Sequence, residues 1–155
     1  MASSEHPGNY KCKNAFDGST SSEWATRGEG SGSWIMATFA GCTQITAFKY
    51  QNRAANEANK DVTLTFSQGA AQTFTMSETG LNTYAVSPQA TTFVKITIDS
   101  HYTKVNNGAR MITFIGASAT SCTAGALPPF TNPGGAQQRV GAQCRVGACW
   151  REGRS

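Results

Sequence analysis

Short runs in which every second residue is apolar, each closed by Gly, Pro, Ser or Asn, constrain this chain more than any other feature. Val62, Leu64 and Phe66 alternate with Thr63 and Thr65, and Phe93, Lys95, Thr97 and Asp99 alternate with Val94, Ile96 and Ile98. A period of two places successive side chains on opposite faces of an extended strand. The same reading predicts strands at Trp34 to Phe39, Gln44 to Tyr50, Gln72 to Met76, Asn82 to Val86 (ending at Ser87-Pro88) and Met111 to Gly116. Ser67-Gln68-Gly69-Ala70 supplies the turn of a hairpin between Val62 to Phe66 and Gln72 to Met76. Seven or eight short strands, with no ten-residue helical period, predict an all-β protein built as an antiparallel β-sandwich.

At 155 residues the chain has room for one core. Its 14% charged and 39% hydrophobic content is that of a folded protein. After Gly116 the character changes, with Pro128-Pro129, Pro133-Gly134-Gly135 and the near repeat of Arg139-Val140-Gly141-Ala142 in Arg145-Val146-Gly147-Ala148. Residues 1–118 are therefore expected to form the domain, and 119–155 a disordered linker or foreign read-through.

The net charge of +4 is concentrated in that tail: residues 1–122 carry nine Lys or Arg against eight Asp or Glu. A nucleic-acid surface needs clustered cations, which the domain lacks, so nucleic acid is not an expected partner. No stretch is long and apolar enough to be a transmembrane helix. Met1 opens no signal peptide, having neither a basic region nor an apolar stretch after it. Five cysteines are an odd number. Cys144 and Cys149 have no nearby His, which argues against zinc.

Asn14-Ala15-Phe16-Asp17-Gly18, Trp24, Trp34 to Phe39, Tyr50-Gln51-Asn52-Arg53, Phe66-Ser67-Gln68-Gly69, Val94-Lys95-Ile96 and Ile112 to Gly116 occur in one order. In that order they resemble the discoidin family, also called coagulation factor 5/8 type C, from about Ser3 to Gly116. The resemblance implies a jelly roll of the galactose-binding-like superfamily. Ala2-Ser3-Ser4 is similar to the opening of such domains, implying a piece of a longer protein. Cys12 and Cys122 stand where secreted members bridge their terminal cysteines; the other reading leaves Cys12, Cys42 and Cys122 as isolated thiols. Trp24 and Trp34 are core residues by the same resemblance, and Arg53 is often a tie between strand end and loop.

Asp17-Gly18-Ser19-Thr20-Ser21-Ser22 is a turn able to aim oxygens at a hard cation. The resemblance implies calcium, held structurally by Asn14, Asp17, Ser19 and Ser22. The family's glutamate on the final strand is Met111 here, preceded by Arg110, and a thioether is a poor calcium ligand. One alternative sets the Arg110 guanidinium near Asp17 in place of the ion; another is an Asp17 that only caps its own loop through local hydrogen bonds.

Catalysis is not expected. Asp99, Ser100 and His101 are neighbours on an extended strand and cannot converge as a triad, and Asp17 with Glu23 is a weak acid–base pair. The exposed loops offer Arg27, Asn52, Arg53, Asn56, His101, Tyr102, Asn106 and Asn107, a set able to bond sugar hydroxyls and pack one ring against a sugar face. Arg27, Arg53, His101 and Tyr102 are expected to converge at one end of the sandwich. The expected function is a non-catalytic module that binds a glycan or glycoprotein, part of a larger extracellular or cell-surface protein, with cell adhesion as one setting. The alternative is a protein–protein interaction module of the same fold, cytoplasmic or ciliary, that has lost sugar and calcium.

Overall fold

In the computed structural model, which describes residues 1–103 and 106–122, the alternating runs form one antiparallel ladder. Its elements are η1 (Cys12–Phe16), β1 (Trp24–Ala25), β2 (Trp34–Asn52), η2 (Ala55–Glu57), β3 (Asp61–Phe66), β4 (Gln72–Thr75), β5 (Leu81–Ile98) and β6 (Gly108–Ser118), with strand order β1-β6-β2-β5-β3-β4. The two η elements are short 3-10 helices.

The ladder is a sandwich because β2 and β5 each serve two layers. The first arm of β2, Trp34 to Thr38, pairs with Phe93 to Thr97 of β5, whose other edge carries β3 and then β4. The second arm, from Thr43 onward, pairs with Leu81 to Thr91 of β5 on one side and with β6 on the other. Register shifts at Thr38/Thr43 and Ile45/Ala47 mark where the ladder bends. The expected strands at Trp34 to Phe39 and Gln44 to Tyr50 are thus two arms of one strand, as are those at Asn82 to Val86 and Phe93 to Asp99. Ser87-Pro88 does not end β5: Pro88 falls where pairing jumps from Ala85 to Gln89, so no ladder bond needs its missing N–H. The β3–β4 hairpin forms as expected.

Inward-facing residues of both layers meet in one core. Phe48 is wholly buried, stacked on Tyr84 at 5.2 Å and edge-on to Phe74 at 5.1 Å. Burial of one such side chain is worth about 1.5–3 kcal/mol. Trp24 is also fully buried and donates its indole N–H to the carbonyl of Ser4 at 2.9 Å. Trp34 belongs to a smaller cluster with Met36 and Phe93, with the Lys95 ammonium 5.3 Å from its ring. Both tryptophans are core residues, as expected.

The expected Cys12–Cys122 bridge is not made: Cys122 is joined to Cys42, with Cα atoms 5.4 Å apart. The register explains the choice. Thr43 of β2 lies opposite Ser118 of β6, so the chain leaving β6 runs past Cys42 at the bend. Cys12 is on η1, which packs on β1 and β6, whereas β1 pairs with the opposite end of β6, at Gly108. The expectation of a disordered tail, and the cysteines at 144 and 149, lie outside the described residues.

Gly108 positions the site that follows. A Cβ there would stand 2.0 Å from the Trp24 carbonyl oxygen and 2.9 Å from the Ala25 Cα. Only glycine lets β1 lie this close to β6, and β1 carries Glu23 to the start of that strand.

Candidate functional site

Loops crossing between the two layers gather at one end of the sandwich: 26–33 between β1 and β2, 53–60 between β2 and β3, and the segment from Asp99 that returns to β6. Three buried asparagines hold them. Asn107 receives Thr26 Oγ1 at 2.8 Å and Ser33 Oγ at 3.1 Å on its side-chain oxygen, and donates to the Gly30 carbonyl at 2.8 Å. Asn52 donates to the carbonyls of Asn59 and Ser77 and accepts the Asn59 backbone N–H. Asn59 donates to Tyr50 Oη at 2.6 Å and to the Gly108 carbonyl at 2.9 Å. Burial pushes the Tyr50 hydroxyl far above its ordinary value, so it stays protonated.

Arg53, with a side chain only 8% exposed, is the electrostatic centre. One terminal nitrogen lies 2.8 Å from Glu23, and the other 2.8 Å from Glu57 and 3.2 Å from the carbonyl of Asn106. The guanidinium carbon stands 5.4 Å from the centre of the Tyr10 ring. The Arg110 Nε approaches the other oxygen of Glu23 at 3.5 Å. Burial alone would push the Glu23 carboxyl up, but the hydrogen bond and charge of Arg53, aided by Arg110, hold it below its ordinary range.

The expected ligand residues are thus unevenly placed. Asn52, Arg53, His101, Tyr102 and Asn106 lie on adjoining loops: Asn59 bridges to His101, and the Tyr102 N–H bonds the Ala58 carbonyl. Asn52 is buried and Arg53 nearly so, whereas Tyr102 is 37% exposed with its hydroxyl on the Met76 carbonyl. The exposed carbonyl of Asn56 accepts from Thr103. Arg27 does not join them; its Nε bonds the Glu5 carbonyl and its N–H the Ser4 hydroxyl. Among the described residues, the buried side-chain polar atoms without a partner are Arg53 Nε, Asn59 Oδ1, His101 Nδ1 and Asn106 Oδ1. Arg53 and Asn59 lie on loop 53–60, and His101 and Asn106 on the two described sides of the segment that returns to β6.

Glu57, Asn59 and Tyr10 carry no role in the sequence reading, and Glu23 enters it only as a weak acid–base partner of Asp17. Glu57 had a signal, since it follows Arg53 by four residues across η2. Nothing local marks Glu23, which reaches Arg53 only through the β1–β6 pairing.

The Asp17 loop closes on itself. One carboxylate oxygen accepts the Ser19 N–H at 2.8 Å, the other the Ser22 hydroxyl at 2.6 Å. Asn14 turns its amide nitrogen to the carbonyls of Asn9 and Glu23. A calcium cage takes roughly six to eight oxygens; here Asp17 is occupied by its own loop, Met111 offers no oxygen, and Glu23 is held by two guanidinium groups. The residues present do not fit the ion. Arg110 meets Glu23, not Asp17 as expected. Among the described residues no group of three or more His, Cys, Asp or Glu is arranged to hold a metal.

Nor do Asp99, Ser100 and His101 converge. Asp99 accepts from Thr63, Ser100 donates to Asp61, and the Nδ1 of His101 meets neither.

No curated protein sequence matches the chain. Solved structures do. Chitosan-binding module 1 from a chitosanase/glucanase of Paenibacillus sp. IK-5 superposes with a TM-score of 0.65 at 18% identity, covering 75% of this chain and 92% of that one. The family 32 carbohydrate-binding module of C. perfringens NanJ, solved with galactose, gives 0.63 at 15% identity over 74% and 90%. The Clostridium perfringens module CpGH89CBM32-5, solved with GalNAc-β-1,3-galactose, gives 0.63 at 23% identity over 77% and 93%. These likenesses establish the jelly-roll fold. The F5/8 type C domain model matches residues 1–114, from the first bridge at Ala2 to the last strand, and the chain belongs to that family.

Proposed function

We propose that the protein is a non-catalytic carbohydrate-recognition module that takes a glycan on the loops around Arg53, His101, Tyr102 and Asn106. The observation that carries this reading is the set of unpartnered buried polar atoms confined, among the described residues, to loop 53–60 and the segment that returns to β6. Buried donors and acceptors are almost always satisfied, by protein, water or ligand, and these unmet groups give the two loops hydrogen-bonding capacity open to a ligand that displaces water or parts the loops. Sugar hydroxyls, each both donor and acceptor, suit a mixture of one guanidinium N–H, two amide oxygens and one imidazole nitrogen. The half-exposed ring of Tyr102 adds the apolar surface a sugar face needs. Neighbours of the same fold solved with galactose and with GalNAc-β-1,3-galactose support the ligand class. We place the module in a larger extracellular or surface protein.

Few groups are exposed, and each hydrogen bond replaces one to water for a net ~0.5–1.5 kcal/mol. Dissociation constants in the millimolar to high micromolar range, about 4 to 6 kcal/mol, are expected. A glycan array probed with the whole chain and with Tyr102→Ala tests the reading: binding to galactose- or N-acetylhexosamine-terminated glycans should weaken in the variant. One observation favours a protein-interaction module instead. Arg53 is so fully engaged by Glu23 and Glu57 that it has little left for a ligand. A blank array together with a protein captured through Tyr102 would establish that second reading.

A further inference from the structure

A polar cleft opens on the flank of the sandwich, beside the edge strand β1. It has a volume of about 520 Å³, within the span of ordinary small-molecule sites. Asn9, Tyr10 and Asn14 form one wall, the turn from Thr20 to Glu23 the other, and Arg110 of β6 completes it. We propose that this cleft is a second sugar subsite, selective for a neutral hexose unit. The inference rests on the reading of the chain as a glycan-binding module; the two sites share Arg53, which in the cleft only holds Glu23 and Tyr10 in place.

The cleft is built around an oriented pair of opposite charges. Glu23 is gripped on one oxygen by Arg53 at 2.8 Å and on the other by Arg110 at 3.5 Å, so its carboxylate is fixed. A carboxylate has about four acceptor positions and a guanidinium five N–H groups. Arg110 is 41% exposed, and among the described residues only Glu23 meets its guanidinium. A vicinal diol fits this pair, one hydroxyl donating to Glu23 while its neighbour accepts from Arg110. The opposite wall is equally set. Asn14 has its amide nitrogen tied to the carbonyls of Asn9 and Glu23, which leaves its oxygen to accept. The Tyr10 ring is pinned by the Arg53 guanidinium and by the edge-on ring of His6 at 5.3 Å. Groups held in place lose little freedom on binding, which favours affinity at a shallow subsite.

Charge selects the ligand class. Arg53 and Arg110 are balanced by Glu23 and Glu57, so the site as a whole is neutral. A carboxylated or sulfated sugar reaching Arg110 would set its anion against Glu23, whereas a neutral hexose meets no such repulsion.

The test is titration of the isotopically labelled full chain with galactose, chitotriose and galacturonic acid, following backbone amides. A neutral probe should move Tyr10, Ser21, Glu23 and Arg110. Arg110→Ala should weaken that response roughly tenfold, the loss of one charge-assisted bond, while amides of 53–60 and 101–103 respond as before. Ser21→Trp, in an exposed turn, should abolish the cleft response without unfolding the domain. Shifts confined to the loop end, with both variants binding as the parent does, would overturn the cleft and leave the module reading intact. Tighter binding of galacturonic acid than of galactose at the cleft would overturn its neutrality. Silence at every amide with all three probes would overturn both readings.

Discussion

Arg53, just after β2, and Glu23, just before β1, meet at 2.8 Å across the start of β6, thirty residues apart in sequence. The bond ties loop 53–60 to the start of the edge strand, and the guanidinium spends its other terminal nitrogen on Glu57. Replacing Arg53 by Ala should cost ~3 kcal/mol in denaturant unfolding, because two half-buried carboxylates lose their partner at once. Arg53→Lys should recover only part of this, since an ammonium cannot span both carboxylates in the plane of a fork. A loss below about 1 kcal/mol for Arg53→Ala would show the network to be dispensable.

Glu23 gives the fold an acid sensitivity of known sign. Its folded value is depressed below the ordinary 4.5, so in that window the unfolded chain binds the extra proton. Its contribution is complete above pH 4.5 and is lost as pH falls through the depressed folded value. Melting temperatures measured from pH 6 downward should fall in this window, and the Glu23→Gln variant should show a shallower slope.

Calcium should make no difference to stability. Asp17 uses both oxygens on Ser19 and Ser22, and no second carboxylate is available to the loop. The melting temperature should be the same in chelator and in excess calcium, whereas a site binding only the native state would raise it with concentration. Asp17→Ala should cost about 1 kcal/mol through the lost loop bonds alone, equally with and without the ion.

The Cys42–Cys122 bridge closes a separation of 80 residues. Its removal in a Cys42→Ser, Cys122→Ser double variant should lower stability by ~2–4 kcal/mol, the common range for a native disulfide. Equilibrium unfolding of the two proteins measures this, and equal midpoints would mean that the ladder alone fixes the end of β6.

Local pattern made the strands legible, and tertiary register made much of the rest obscure. Val62 to Phe66 declares its strand and its inward face, because a period of two is a property of the strand itself. Whether Phe39 and Gln44 belong to one strand or two depends on how the ladder bends around a shared core, which Ala40-Gly41 cannot encode alone. Cys42 was passed over as a bridge partner for the same reason: its proximity to Cys122 follows from Thr43 lying opposite Ser118. At the loop end, residue type puts forward Arg53, Asn52 and Asn106 as candidates, but not that Glu23 and Glu57 would claim the guanidinium. Arg27 had the right chemistry and the right loop, yet the segment at Ser4 and Glu5 captures it.

The disulfide also sets how the domain bears tension. β6 is paired along its length with β2, and a pull on its final residues would by itself peel the pairs one at a time, beginning at Ser118. The bridge reroutes that load. Force arriving at Cys122 passes across the sulfurs to Cys42, beside the first β2–β6 pair at Thr43, so Cys122 cannot draw away from β2 while the bridge holds. The loops at the opposite end lie off this path, so a module under strain at its trailing end keeps its leading face in register.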